Sequence, residues 1–258
     1  EDVTNASRIN VPLQCVSVVA GDFDNDGDLD LYFVCRGGAQ NLPNRLFENQ
    51  GNGTFVEVGA TGAAGPIGFN VAQGAGTGES VAVADVDLDG FLDLFVTNGL
   101  NMQPVDYGGP NQLFRNLGNS NNWILLDLVG VQSNCDAVWA KVFATAGGKA
   151  QLREQAGGIH RWSQDHQRIH FGLAQSTTVD LRVEWPSGQV DEYSGLSANE
   201  LYRATEGVGI EIVDRVPPPE VPGAQPGDEC GAPIYDLFLD PGVFVWKECD
   251  TGGWRVRV

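Results

Sequence analysis

Ala20-Gly21-Asp22-Phe23-Asp24-Asn25-Asp26-Gly27-Asp28-Leu29-Asp30-Leu31 returns 63 residues later as Val83-Ala84-Asp85-Val86-Asp87-Leu88-Asp89-Gly90-Phe91-Leu92-Asp93-Leu94. A second element keeps step with it, Pro43-Asn44-Arg45-Leu46-Phe47-Glu48-Asn49 and then Pro110-Asn111-Gln112-Leu113-Phe114-Arg115-Asn116. One unit is therefore an Asp loop between strands, a Gly/Asn connection and a Pro-Asn-x-Leu-Phe-x-Asn turn into another strand. Repeats of this size belong to propeller blades or solenoid coils. Outward from the loops, the apolar runs are short and bounded by Gly, Asp, Asn or Pro: Val16–Ala20, Leu31–Cys35, Val81–Ala84, Leu94–Thr97, Ile124–Val129 and Val179–Val183. That is the signature of short strands and tight turns, not of 3.6-residue periodicity. Only Ser197–Tyr202 reads as helix-like. The expected class is all-β.

The Asp loops carry the clearest chemistry. Calcium takes six to eight oxygens in a flexible cage. Asp at loop positions 1, 3 and 5 (Asp22, Asp24 and Asp26; Asp85, Asp87 and Asp89) turns three carboxylates toward one point. Gly27 and Gly90 at position 6 permit the bend, Asp28 and Phe91 at position 7 offer main-chain carbonyls, and Asp30 and Asp93 at position 9 supply the last carboxylate. An EF-hand would place Glu at position 12, where Phe33 and Val96 stand, and would be flanked by helices. The competing reading is a pair of solvated Asp/Gly turns. Crowding opposes it: carboxylates about 5 Å apart repel by roughly 3 kcal/mol per pair at an effective dielectric near 20. The reading is two bound Ca2+ ions, since Mg2+ fits an all-protein cage less well.

Charge excludes other classes. Fifteen Lys and Arg against 34 Asp and Glu give a net charge of −19 over 258 residues, which opposes binding to nucleic acid or an anionic membrane. At 42% hydrophobic residues the chain can bury a core. No apolar run approaches the length of a spanning helix. The chain opens on Glu1 without Met or a signal peptide, and is read as a processed or partial chain.

Among five cysteines, Cys230 and Cys249 stand together near the end, where a bridge would staple a small segment. Cys15 and Cys35 flank the first Asp loop, and a bridge between them depends on strand register. Cys135 is left over; the competing reading is five buried thiols. His160, His166 and His170 lie close in sequence, but on loop and strand rather than helix they read as ordinary polar and core residues, not a zinc site. Gly74-Ala75-Gly76-Thr77-Gly78 precedes a strand and lacks the helix N-terminus that a phosphate site needs. No GxSxG or HExxH occurs. Trp162, Trp185, Trp246 and Trp254 read first as packing and second as a sugar-stacking surface. Asn5 and Asn52 open N-glycosylation sequons.

The DxDxDGxLDL and PNRLFxNxGNGTF stretches resemble the FG-GAP/VCBS repeat, the calcium-bearing blade of integrin-type propellers. Asn121-Asn122-Trp123-Ile124, Gly130-Val131-Gln132-Ser133-Asn134, Ser163-Gln164, His170-Phe171-Gly172-Leu173, Trp185-Pro186-Ser187-Gly188, Asn199 and Glu206-Gly207 resemble the ASPIC/UnbV domain. The order is similar to that of the cartilage acidic protein family and its bacterial relatives. Two positions depart from the family: Trp139 stands where it has Gly, and Ala174 replaces the last Gly of Phe-Gly-Leu-Gly. The resemblance implies two blade-like repeats in 1–116, a β-rich domain in 117–213, a Pro-rich linker in 214–227 and a small, disulfide-stapled β module in 228–258. It implies a secreted or surface-displayed, non-catalytic calcium protein of structural or adhesive role. A carbohydrate-binding module, or the C-terminal part of a larger secreted propeller enzyme, is the alternative. Two blades cannot close a ring that needs at least four, so their edges are expected to be continued by further blades, covered by the ASPIC-like domain, or covered by a neighbouring copy, matrix protein or glycan, as in a surface filament.

Overall fold

The computed structural model describes residues 2–9, 15–35, 44–58, 77–99, 111–156, 159–160, 163–215, 246–250 and 253–257. Apart from one turn of helix, α1 (Thr4–Ser7), the described secondary structure is strand, and the fold is all-β. The first Asp loop joins β1 (Cys15–Gly21) to β2 (Asp30–Cys35), and β3 (Arg45–Asn49) and β4 (Phe55–Val58) complete an antiparallel sheet in that order. The second Asp loop joins β5 (Thr77–Ala84) to β6 (Asp93–Gly99), with β7 (Gln112–Phe114) alongside. Alternation sends Val19, Tyr32 and Val34 from the first sheet, and Val81, Val83, Leu94 and Val96 from the second, into one shared core.

The rest of the chain builds two further sheets. Strands β8 (Asn122–Val129), β9 (Lys141–Ala146), β10 (Lys149–Glu154), β13 (Ile169–Ala174), β14 (Thr178–Glu184), β15 (Val190–Ser197), β16 (Glu200–Thr205) and β17 (Gly209–Ile212) sort into the orders β10-β9-β14-β15 and β13-β8-β16-β17. A two-residue pairing, β11 (Ile159–His160) with β12 (Ser163–Gln164), lies beside them, and β18 (Trp246–Asp250) pairs with β19 (Gly253–Arg257) near the end of the chain. The two four-stranded sheets share a core of Ile124, Leu126, Val142, Phe171, Leu181, Val183, Trp185 and Tyr202.

Strand β8 explains how the two halves meet. It is buried on both faces: Ile124, Leu126 and Leu128 enter the sandwich core, while Trp123 and Leu125 point the other way. There they meet Phe91 of the second Asp loop and Leu201 of β16, and the Arg215 guanidinium lies 5.0 Å from the Trp123 ring. The face of the sandwich that would otherwise be wet thus packs against the repeats. Of the three ways of covering the blade edges, the described residues show packing on the second domain.

The helix-like reading of Ser197–Tyr202 is corrected. Ser197 ends β15 and Glu200–Tyr202 begin β16, because Asn199 turns the chain at φ 63° and Leu201 and Tyr202 are needed in two cores. Cys15 and Cys35 are cross-strand partners in β1 and β2, Cα atoms 3.7 Å apart, and are disulfide-bonded. Cys135 is a free, exposed thiol, which corrects the reading of five buried thiols. The Cys230–Cys249 bridge, most of the linker and the stapling of the last module lie outside the described residues.

Candidate metal centre

Each Asp loop leaves its first strand, reverses within nine residues and enters the second. In the first, main-chain N–H groups bend toward the carboxylates: Gly27 donates to Asp22 Oδ2 (3.0 Å), Asp26 to Asp24 Oδ1 (3.1 Å) and Asp28 to Asp26 Oδ1 (2.8 Å). In the second, Gly90 donates to Asp85 Oδ2 (2.8 Å), Asp89 to Asp85 Oδ1 (3.1 Å) and Phe91 to Asp89 Oδ1 (3.0 Å). Ligand atoms of Asp22, Asp24 and Asp26 lie within 4.8 Å of one another, and so do those of Asp85, Asp87 and Asp89. Asp22 Oδ1 and Asp87 Oδ1 are buried without a hydrogen-bond partner. A buried carboxylate oxygen is costly unless something answers its charge. Three convergent carboxylates with one such oxygen in each group fit a hard divalent cation.

Asp30 and Asp93 stand outside these groups of three. Both oxygens of each accept main-chain hydrogen bonds, from Phe23 and Asn49 and from Val86 and Asn116. Each therefore clamps its loop to the Pro-Asn-x-Leu-Phe-x-Asn turn, which explains why the two elements repeat together. Asp28 turns its carboxylate to Lys149 Nζ at 2.6 Å.

Burial is the largest influence on these acids. It pushes Asp22 up to about 7, with Asp24 and Asp26 adding repulsion, and Asp85 up to about 7, with Asp89 and Asp87 adding theirs. Burial also lifts Asp30 and Asp93 to about 8, against their main-chain hydrogen bonds. The loops hold their charge poorly without a counter-ion.

The two centres differ where the sequence already differed. Arg115 reaches Asp87 Oδ2 at 2.6 Å and Asp89 Oδ2 at 3.4 Å. Its counterpart in the first repeat is Glu48, which raises Asp24 further. The second loop carries its own cation and the first does not.

Both loops are braced against the sandwich by residues that the motif reading passed over. Asp22 Oδ2 also accepts the Gly172 N–H (3.1 Å), and Asn25 O accepts the Ala174 N–H (2.8 Å), so β13 bonds directly to the first loop. A Cβ on Gly172 would stand 2.2 Å from Asp22 Oδ2. Asn25, wholly buried at φ 60°, donates from Nδ2 to Gly90 O, which also takes His170 Nε2 at 3.1 Å. Since a carbonyl only accepts, Nε2 carries the His170 proton; burial pushes this imidazole down to about 4. A Cβ on Gly90, at φ +90°, would fall 1.7 Å from the Trp123 ring. The Phe-Gly pair of the His-Phe-Gly-Leu motif was the available signal, but only the fold shows what it touches.

Other sequence candidates separate from the centre. His166 Nδ1 accepts the Arg168 N–H in a local turn, well apart in role from His170. The side chains of His160, Trp162, Trp246 and Trp254 lie outside the described residues, and Trp185 is 3% exposed, which removes it from any flat sugar-stacking surface. Asn5 is exposed in α1, and exposed Asn52 accepts from Thr54 N and Thr54 Oγ1 at a strand turn. Residues 74–76 are undescribed, and Thr77 and Gly78 open β5. Among the described residues no helix is long and apolar enough to cross a membrane.

Comparison with known proteins matches residues 22–96 to the FG-GAP-like repeat and residues 130–211 to the ASPIC and UnbV domain. Cartilage acidic protein 1 of Mus musculus is 31% identical over 189 residues, 71% of this chain and 27% of that protein. The Xenopus tropicalis protein of the same name is 31% identical over 188 residues and the Homo sapiens one 30% over 189, covering 27% and 26% of their lengths. The chain thus spans about a quarter of the length of these curated relatives.

Proposed function

From the premise that the chain carries an FG-GAP-like repeat followed by an ASPIC/UnbV domain, we propose that it is a non-catalytic, calcium-binding structural or adhesive protein of the extracellular space. The observation that carries the reading is the pair of carboxylate triads, Asp22/Asp24/Asp26 and Asp85/Asp87/Asp89, each with a buried oxygen that nothing in the chain answers. One Ca2+ at each loop would neutralise the crowded acids and hold the loops in the bend that meets the sandwich. Asp28 and Phe91 would add main-chain oxygens, and Asp30 and Asp93 would act by clamping and by their remaining lone pairs. Sites of the extracellular kind bind at ~10⁻⁴–10⁻³ M, so they fill outside the cytosol, and the Cys15–Cys35 disulfide suits the same oxidising setting. Self-association, or attachment to a matrix protein or glycan, would use the sheet edges left at β4 and β7.

Calorimetric titration of the chelator-stripped chain with Ca2+ tests the proposal. Two ions per chain and a raised melting temperature are expected, as linkage requires; no heat of binding and an unmoved transition would end it.

A further inference from the structure

A cavity of about 220 Å³ opens where the two repeats meet the sandwich, below the first residues of both Asp loops. Its apolar walls include Val83, Leu92 and Leu125, and its polar wall includes Arg153, His166 and Gln167. Arg153 is unlike the other arginine on this wall. Arg168 is committed, with Nε and Nη2 both on the Asp127 carboxylate at 2.8 and 3.1 Å. Arg153 bonds only neutral acceptors, Leu152 O and Gln151 Oε1, both at 3.1 Å. Its guanidinium carbon lies 5.1 Å from the centre of the Phe171 ring. Among the described residues it has no carboxylate at ion-pairing distance, so a half-buried guanidinium keeps unspent N–H donors beside a cavity. Burial works against its charge, and the group that offsets this is Asp22, itself a proposed ion ligand. A cation on the first loop would take up that compensation and leave the cavity wall net positive.

We propose that this cavity is a receptor for a small organic carboxylate, held by the Arg153 guanidinium through its free N–H groups. A planar fork backed by an aromatic face suits a carboxylate, which it can take through two parallel hydrogen bonds. His166, whose Nδ1 accepts the Arg168 N–H and whose Nε2 therefore carries hydrogen, and Gln167 add donors for hydroxyl or amide groups on the same ligand. The apolar wall covers its carbon skeleton.

The test uses the full chain, 15N-labelled, in saturating Ca2+. Sodium glucuronate represents a free sugar acid and N-acetylaspartate amide a peptide side chain; glucose and sodium sulfate are run beside them at equal ionic strength. A saturable shift of the Arg153 Nε–H signal and the Asp165–Gln167 amides with either carboxylate, absent with glucose, is expected, and whichever carboxylate binds identifies the source. Arg153→Lys should weaken binding about tenfold, the order expected for losing a charge-assisted bidentate pair. Ala156→Glu, which leaves every Arg153 contact in place and adds a negative charge to the cavity wall, should also weaken it. No saturable shift with either carboxylate, an equal affinity in both variants, or tighter binding of sulfate than of both carboxylates would overturn the proposal.

Discussion

Asp24 and Asp87 sit at the third position of their loops, where removal of one carboxylate breaks a triad but spares the clamping hydrogen bonds of Asp30 and Asp93. Asp24→Ala or Asp87→Ala should each cost one of the two ions. The lost linkage is about 3 kcal/mol at a calcium level of about 100 times Kd, visible as a lowered melting temperature in calcium that chelator lowers less further than in the parent. The same acids set a pH dependence. Asp22 and Asp85, raised to about 7, and Asp30 and Asp93, raised to about 8, bind protons more tightly when folded than when unfolded. Their stabilisation is present at low pH and lost as pH rises through 7 to 8. The chelated chain should therefore melt lower at about pH 8 than at about pH 5, and calcium should shrink that difference by replacing the protons; calorimetry in both buffers checks it. Two further residues carry strain. Trp139 and Ala174, which replace glycines of the family pattern, have φ of 80° and 49°. Because the left-handed region costs a residue with a Cβ about 1–2 kcal/mol, Ala174→Gly should stabilise the chain by about 1 kcal/mol in urea denaturation.

The two Asp loops are alike in spacing and unlike in charge. Arg115 on the turn after β7 already answers Asp87 and Asp89, whereas Glu48 in the first repeat adds to the acidity around Asp24. The first loop should bind calcium more tightly, and Arg115→Glu should tighten the second loop and narrow the gap between the two affinities in a titration. The turn between β8 and β9 shows a different device. Main-chain N–H groups of Val131, Gln132 and Ser133 converge on Glu206 Oε2, each at 2.7 Å, and the hydroxyls of Ser133 and Ser187 reach Oε1. Burial raises this carboxyl, but the hydrogen bonds outweigh it and hold it down to about 2. A lowered carboxyl stabilises above its ordinary value of 4.5, and that stability is lost as pH falls toward 2. Glu206→Gln should lower the melting temperature at neutral pH and flatten its acid dependence, which a pH series of melting curves would reveal.

At the scale of the molecule, the loops are shared parts. Gly172 N–H ends on a carboxylate of the first triad, Gly90 O receives both Asn25 and His170, and Trp123 lies against Gly90. Ordering either loop therefore orders its contact with the sandwich. Removing calcium should raise amide exchange in β13 and around Asn25 and Gly90 before it does so in β9 and β14, whose bonds lie within the sandwich. Exchange that rises everywhere at once would mean that the ions stabilise the fold without specifically holding the two halves together.

The repeat, the strand class and the acids of both triads were legible in the sequence because side-chain alternation and loop chemistry are local: Asp at positions 1, 3 and 5 and Gly at position 6 act within nine residues. The Glu48/Arg115 contrast was legible too, once the second repeated element was aligned. What surrounds the loops was not. Asn25 bonds Gly90 across 65 residues and Gly172 bonds Asp22 across 150, and no short-range pattern encodes which backbone group will lie opposite which. Ser197–Tyr202 misled for the same reason, since the two cores that claim Leu201 and Tyr202 are built from distant strands. Residue types and their spacing determined where charge gathers; only the packing of distant strands decided which carboxylate oxygens would be buried, which would be answered by a hydrogen bond, and beside which cavity Arg153 would be left without a partner.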